Sequence, residues 1–280
     1  MNLSPPERPT WEARLRQPPQ GNRVALWLND TVIGTVGNEL PRSFAGDLAH
    51  KAPRGVAISL TECRHEDSPG WQLRGPADAA LDTLARALRK AGLTGRWRHE
   101  QLAVRDGHGT RIGCIERATV RVLGIKTHAV HLVGWTEQAH LWVQQRALDK
   151  ADDPGLWDTL VGGMVQDGES SQAALVRETQ EEAGLLLHSL RRLQYGGCIE
   201  VCCPSSVPTQ AGHRVERLDW FSAIVPDHLA PNNRDGEVMA FARLSPRELA
   251  RWIAQGRFTE DAAAILASAL QQGQPMPVRP

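Results

Sequence analysis

The sequence has 280 residues, of which 41% are hydrophobic and 23% are charged. This composition predicts a globular protein with a buried core, and the length suffices for one large domain or two ordinary ones. Because 32 basic residues balance 32 acidic ones, nothing favours a nucleic-acid or membrane-surface partner. No stretch approaches the roughly 18 uninterrupted apolar residues of a membrane span.

The five cysteines are an odd number without metal-ligand spacing, which indicates free thiols in a reducing compartment. The neighbours Cys202 and Cys203 are either a redox pair or, more commonly, idle thiols. Residues 1–22 are polar and proline-rich and resemble neither a secretory signal nor a presequence. We therefore expect a loosely held arm there and a cytoplasmic protein.

The pattern of apolar and turn residues in the first part of the chain predicts a small α+β domain over residues 1–118. Two short apolar runs flank Asn29-Asp30, as in a hairpin. Leu81, Leu84 and Leu88 recur at helical spacing before Gly92, which ends that helix. The elements in chain order are a hairpin within 23–36, a strand at 54–62, a helix over 77–93 and two strands within 100–118.

The second predicted domain covers residues 119–272, and a disordered tail follows at 273–280. Ser245 and Glu248 form a capping box with Pro246 at the first helical position, so a helix should run to about Gln255. Thr259 should begin the last helix. The preceding elements are a hairpin of 128–135 and 140–146, a strand entering Gly162-Gly163, a helix over 170–183 and strands near 193–202, 216–225 and 236–244.

The helix predicted over 170–183 carries three carboxylates on one face, Glu178, Glu181 and Glu182. Like charges at this spacing destabilise a helix, so a ligand from outside the chain should compensate them. Hard divalent cations prefer such oxygen ligands, and Mg²⁺ typically bridges carboxylates to phosphates. The simpler alternative is a solvated acidic face.

The glycines and polar residues around this helix fit its limits. Gly162-Gly163 should let the backbone turn tightly after a strand. Ser170 or Ser171 can cap the start of the helix, and Gly184 can end it in a left-handed conformation.

The whole stretch resembles the Nudix box, at every charged and glycine position. Its one departure is Thr179, where the family usually has a bulkier apolar residue. Written with its spacings, the stretch is Gly163, five residues, Glu169, seven residues, Arg177-Glu178-Thr179, one residue, Glu181-Glu182, one residue and Gly184-Leu185.

This resemblance implies a Nudix α/β/α sandwich with a mixed sheet, in which the box forms loop, helix and loop. It also implies a diphosphate hydrolase that uses Mg²⁺, with Mn²⁺ possible, bound by Glu178, Glu181 and Glu182. Arg177 would pair with Glu169 and orient the helix, while Gly163 and Gly184 would be structural. The catalytic candidates are Glu181, Glu182 and a carboxylate outside the box, Glu237, which is otherwise an ordinary turn residue.

A looser resemblance extends around the box to one Nudix branch, which has an additional N-terminal domain. That branch includes the Nudix half of fungal thiamine pyrophosphokinase fusions and plant chloroplast Nudix hydrolases. It implies hydrolysis of thiamine diphosphate, or its oxidised and damaged analogues, to the monophosphate and phosphate. The residues that carry the resemblance are Gly124, His131, Gly134, Trp142, Arg146, Lys150, Pro154-Gly155, Asp158 and Val161-Gly162-Gly163.

Candidate substrate-binding residues follow from the chemistry of such a ligand. Flat rings favour aromatic platforms, for which Trp142, Trp157 and Trp220 are candidates, although most tryptophans are core residues. Arg146 and Lys150 could hold phosphates or be solvated charges. Asp158 could accept a hydrogen bond from a ring amine or cap a turn.

Three other functions stay open at this stage. One is a Nudix diphosphatase for ADP-ribose or a dinucleotide, and another is an isopentenyl diphosphate isomerase, which needs a cysteine and a glutamate facing the metal. The third is an inactive Nudix module that binds a metabolite and regulates a partner. The first domain could cover the active site, form a homodimer contact or stabilise the second domain.

Overall fold

The computed structural model describes residues 10–37, 42, 45–46, 48, 53–65, 68–205 and 212–275. No helix among these residues has the length and apolar character needed to cross a membrane. The helices are α1 (Thr10–Leu15), α2 (Ala77–Lys90), α3 (Ser171–Ala183), α4 (Pro246–Ala254) and α5 (Glu260–Gln272). The strands are β1 (Arg23–Leu28), β2 (Thr31–Gly37), β3 (Ser59–His65), β4 (Ser68–Arg74), β5 (Gln101–Arg105), β6 (Arg111–Glu116), β7 (Lys126–Trp135), β8 (Leu141–Arg146), β9 (Trp157–Asp158), β10 (Val161–Met164), β11 (Arg191–Pro204), β12 (His213–Ile224) and β13 (Val238–Leu244).

A four-stranded sheet with the order β2-β1-β4-β3 organises the first part of the chain. The hairpin of β1 and β2 turns at Asn29, whose φ of 52° is left-handed, as asparagine tolerates. Helix α2 buries Leu81, Leu84 and Leu88 in the same core. The small sheet of β5 and β6 lies against α2, with Gly113 leaving room for Leu81.

A seven-stranded sheet forms the second part. Five strands follow the order β11-β12-β7-β8-β13, and beside them β10 pairs with β7 and β9 pairs with β8. Strand β12 runs parallel to β7, whereas the other pairs are antiparallel, so the sheet is mixed. Two strands pair with the edge of β7 that is opposite β12. Strand β10 pairs with residues 129–132, and β8 pairs with residues 134–135. This fork leaves β10 as a short strand whose end meets the loop before α3.

Helices cover both faces of the seven-stranded sheet. On one face, Val130 and Leu132 of β7 pack in a cluster with Leu175 of α3. On the other face, Val133 packs in a cluster with Leu266 of α5. The predicted fold class, α+β with a Nudix sandwich around a mixed sheet, is confirmed.

The first hydrophobic core extends beyond residue 118, which was the expected end of the first domain. Val120, Val122, Leu123 and Ile125 are buried in the first core, because the chain folds back over the first sheet before it enters β7.

The expectation of a loosely held arm over 1–22 is wrong for residues 15–17. Leu15 is buried in the second core, and the backbone N–H of Gln17 donates to the carbonyl of Cys202 at 2.8 Å. Residues 1–9 and 276–280 lie outside the described part. In the predicted disordered tail, Gln274 donates to the carbonyl of Thr136 at 2.7 Å.

A close backbone contact joins β2 to the segment before β7. The N–H of Thr35 donates to the carbonyl of Leu123 at 2.8 Å. Gly34 permits this approach, since a Cβ there would lie 2.3 Å from that same oxygen.

We expect Gly34→Ala to destabilise the protein by about 1–3 kcal/mol, because its methyl group forces the two backbones apart. Urea unfolding measures the change. The matched control is Gly37→Ala on the same strand, where a Cβ meets nothing within 4 Å. Equal stability of the two variants would show that this contact is dispensable.

Candidate active site

Local sequence rules set the limits of α3. The Ser170 hydroxyl accepts a hydrogen bond from the N–H of Ala173 at 3.1 Å, which caps the helix start. Gly184 ends the helix with a φ of 62°, a left-handed conformation. Thr179, the departure from the usual box, is fully buried and satisfies its hydroxyl by donating to the carbonyl of Leu175 at 2.6 Å. The departure therefore leaves the helix intact.

Arg177 is the cation that holds the box together. Its guanidinium donates to both carboxylate oxygens of Glu169, at 2.8 and 2.9 Å. It also donates to Glu178 at 2.7 Å, to Glu181 at 3.1 Å and to the carbonyl of Met164 at 3.0 Å. One side chain thus connects α3 to the loop before it and to the end of β10. The pair of Arg177 and Glu169 is the one that the resemblance to the Nudix box implies.

One of the three helix carboxylates, Glu182, is buried, and the side chain of a second, Glu178, is only 12% exposed. Glu182 is only 3% exposed, and one of its oxygens accepts hydrogen bonds from Gln144 and from the N–H of Gly162, both at 2.9 Å. Burial, with the charge of Glu178 added, raises the pKa of Glu182 to about 8. Burial also raises the pKa of Glu178 to about 7, although Arg177 opposes the shift. Glu181 is half exposed.

The glycine pair serves close packing rather than the expected tight turn. Gly162 and Gly163 lie within β10, paired with β7, and neither has a positive φ. A Cβ on Gly163 would lie 1.9 Å from the carboxyl carbon of Glu178, and one on Gly162 would lie 2.7 Å from the ring of His131. The pair is therefore needed because a carboxylate and an imidazole occupy the two sides of this strand.

The donors around α3 fit a hard divalent cation. Two carboxylates with raised pKa values lie on one helix, largely shielded from solvent, and a cation would stabilise their ionised forms. The three atoms nearest to a Cβ at Gly163 all belong to the Glu178 side chain. Within the described residues no three metal-binding side chains converge on one point, since Arg177 draws Glu178 and Glu181 towards itself while Glu182 points to Gln144.

A cleft of about 110 Å³ opens beside Gly162 and Gly163. Arg146 lines it and donates to Asp158 at 3.2 Å and to the carbonyl of Asp152 at 3.0 Å. Asp158 is itself 5% exposed and accepts from the N–H of Thr159. The structure thus brings together two predicted substrate-binding residues, Arg146 and Asp158, as partners of each other at the cleft wall.

Lys150 and Glu237, predicted as a phosphate ligand and a catalytic carboxylate, form an ion pair with each other. Burial by itself would raise the pKa of Glu237, but the hydrogen bond and charge of Lys150 outweigh it and lower that pKa. The charge of Lys150 also reaches Glu182. In this arrangement Glu237 is a neutralised partner of Lys150 and a weaker base than Glu182.

The prediction of aromatic platforms is wrong for two of the three tryptophans. Trp157 and Trp220 are 8% and 2% exposed and belong to the core beneath α4 and α5. Trp157 packs on Trp252 with ring centroids 5.1 Å apart, and Trp220 covers Gly196. Trp142 is half buried, with the guanidinium of Arg243 at 5.3 Å over its ring.

The first part of the chain contributes residues that sequence reasoning missed. Arg117 and Arg121 line the cleft beside Arg214 of β12. Arg111 of β6 makes two hydrogen bonds, at 2.6 and 2.8 Å, to Asp167 in the loop that precedes α3. These arginines share no spacing with one another or with the box, so only tertiary structure could assemble them.

We expect Glu182→Gln to stabilise the metal-free protein above neutral pH. A raised carboxyl pKa means that the folded state binds the proton more tightly than the unfolded state. Stability is therefore full below about pH 4.5 and falls as pH rises towards 8. Since one pKa unit corresponds to about 1.4 kcal/mol, the variant should gain at least about that amount at pH 8.5. Thermal unfolding with EDTA at pH 5 and pH 8.5 measures it.

The matched control is Glu181→Gln, because that carboxylate is half exposed on the same helix. It should show the pH dependence of the wild-type protein. A Glu182→Gln variant that is no more stable than wild type at pH 8.5 would contradict the burial of a charged Glu182.

Comparisons with known proteins agree with this geometry. The chloroplastic Nudix hydrolase 20 of Arabidopsis thaliana is 31% identical over 147 residues, which cover 51% of this chain and 38% of the plant protein. The chloroplastic Nudix hydrolase 24 of the same plant is 29% identical over 161 residues, which cover 54% and 41%. An isopentenyl-diphosphate Delta-isomerase of Streptomyces coelicolor is 30% identical over 165 residues, which cover 59% and 80%.

The match with the two plant relatives spans about two fifths of their length. The family model of the NUDIX domain matches residues 126–267, about half of the chain, and includes β7 to α5. That segment contains the box, the mixed sheet and the helices on both of its faces. The chain belongs to the Nudix family.

Proposed function

We propose that this chain hydrolyses diphosphates with a divalent cation, Mg²⁺ or Mn²⁺, held by Glu178, Glu181 and Glu182. The observation that carries this proposal is the position of Glu178 and Glu182, which pack against the β10 backbone beside the cleft and are 12% and 3% exposed. Such carboxylates need a positive ligand, which a divalent cation supplies. The cleft arginines have carboxylate partners, and their remaining N–H groups can donate to the phosphates of a diphosphate.

The bound cation would neutralise the diphosphate and lower the pKa of a bound water. Arg177 fixes the position of α3, and through Met164 that of β10. Glu182 is the better candidate for the general base, because its carboxylate lies against the N–H of Gly162 at the cleft. Glu237 is engaged by Lys150 and would first have to be released.

We further propose that the substrate is thiamine diphosphate or one of its oxidised or damaged analogues, cleaved to the monophosphate and phosphate. The resemblance of residues 124–163 to the thiamine-related branch supports this choice. The structure gives weaker support, since Trp142 is the one predicted platform outside the core. ADP-ribose or a dinucleotide is the alternative substrate.

The isomerase relative keeps proton transfer as a second candidate function. That chemistry needs a cysteine at the carboxylates. In the described part of the chain no cysteine hydrogen-bonds to Glu178, Glu181 or Glu182, and none lines the cleft. Cys202 instead contacts His213 with its sulfur 3.1 Å from the ring nitrogen. These positions favour the hydrolase.

Release of phosphate and of organic monophosphates with Mg²⁺ tests the proposal, across thiamine diphosphate, its oxo- and oxy- analogues, ADP-ribose, NADH and isopentenyl diphosphate. We expect the thiamine compounds to be preferred. Glu182→Gln should lower turnover by at least about 100-fold, since removing a general base typically costs that much. Glu137→Gln is the matched control, because Glu137 is an exposed partner of Arg191 outside the cleft.

The outcomes separate the alternatives. Preference for ADP-ribose would retain the hydrolase and discard the thiamine substrate. Isomerisation of isopentenyl diphosphate without phosphate release would replace hydrolysis with proton transfer. No turnover of any compound, with metal binding unchanged in Glu182→Gln, would favour a metabolite-binding module.

A further inference from the structure

A second cavity, of about 80 Å³, lies where the first part of the chain meets the seven-stranded sheet. We call it the arginine cavity, because five arginines line it: Arg96, Arg98, Arg117, Arg121 and Arg214. Arg117, Arg121, Met164 and Arg214 also line the cleft beside Gly163. The arginine cavity is therefore continuous with the cleft in which we place the diphosphate.

The arginine cavity is strongly positive. Against its five arginines stand two carboxylates, Asp152 and Glu216. Three of the arginines have carboxylate partners: Arg117 pairs with Glu100, Arg121 with Asp152 and Arg214 with Asp261. Arg96 and Arg98 form no ion pair with any carboxylate in the described part of the chain. The cavity wall thus offers charge that the protein does not neutralise by itself.

Two buried donors in the same wall lack hydrogen-bond partners. The Nε of Arg214 is buried without a hydrogen bond, although Glu216 lies 3.5 Å away, and Nδ1 of His213 is likewise unpartnered. His213 is 3% exposed and uses its other nitrogen, Nε2, for the sulfur of Cys202 at 3.1 Å. The tautomer that accepts the thiol proton at Nε2 carries its own proton on Nδ1.

An unsatisfied buried donor destabilises the folded protein, so both nitrogens favour an acceptor inside the cavity. A phosphate group provides several acceptor oxygens, and guanidinium groups bind it in bidentate fashion. Burial, with the charge of Arg23 added, lowers the pKa of His213. The histidine is therefore a neutral donor, and the arginines supply the charge.

We propose that the arginine cavity binds a phosphoryl dianion, either free phosphate or the terminal phosphate of a diphosphate. It would then select diphosphates that end in a free phosphate over those that join two organic groups, since an internal phosphate has one charge and fewer free oxygens. This selectivity rests on the proposed function, whereas binding of free phosphate does not.

The test is calorimetric titration of the metal-free, full-length protein in EDTA with inorganic phosphate. Arg96→Gln and Arg98→Gln remove cavity charge without breaking an ion pair. Since a charged hydrogen bond is worth about 1.5–3 kcal/mol, each should weaken phosphate binding roughly 10-fold or more. Arg54→Gln is the matched control, an exposed turn arginine of the same part of the chain. Absence of phosphate binding by wild type, or an equal loss in Arg54→Gln, would overturn the proposal.

A second titration tests selectivity and separates the sources of the phosphate. Phosphate should compete with thiamine diphosphate for the metal-free protein, and Arg98→Gln should weaken thiamine diphosphate but not ADP-ribose. Equal weakening of both compounds, or no competition, would overturn the selectivity. Phosphate binding without hydrolysis of any diphosphate would refute the proposed function and leave the arginine cavity established.

Discussion

The site depends on one guanidinium that hydrogen-bonds to three carboxylates. Arg177 bonds to Glu169, Glu178 and Glu181 and also to the carbonyl of Met164. Without it, like charges on successive turns of α3 would repel each other, and the loop before the helix would lose its anchor. Glu182 is outside the reach of this arginine and is buried against Gly162 instead. Glu182, the carboxylate that a bound cation would compensate, therefore lies on the side of α3 that faces the sheet.

Features set by neighbours in sequence were predictable. Ser170, Gly184 and the capping box of Ser245 and Glu248 act within a few residues, so their spacing alone fixed the limits of the helices. The hairpins, the mixed sheet and the three-layer fold followed from apolar periodicity and from the resemblance of the box to the Nudix family. The grouping of the helix carboxylates on one face also followed from their spacing.

Features set by tertiary contacts were not predictable. Gly162 and Gly163 looked like a turn, because a sequence does not reveal that Glu178 and His131 press against a strand. The burial of Trp157 and Trp220 depends on α4 and α5, which lie far along the chain. The arginines of the cleft and of the arginine cavity come from distant segments, and no spacing in the sequence groups them.

The contact between Gln17 and Cys202 bears on how the sheet avoids self-association. Strand β11 is an edge strand in the described part of the sheet, and a long open edge is a template for pairing with another molecule. Arg16 and Gln17 occupy this edge next to Cys202. Register breaks between Arg191 and Gln194, and between Tyr195 and Gly197, interrupt the pairing of the strand with β12. A segment that precedes the first sheet thereby covers part of the open edge of the second, at Cys202, and takes up backbone groups that another molecule could otherwise pair with.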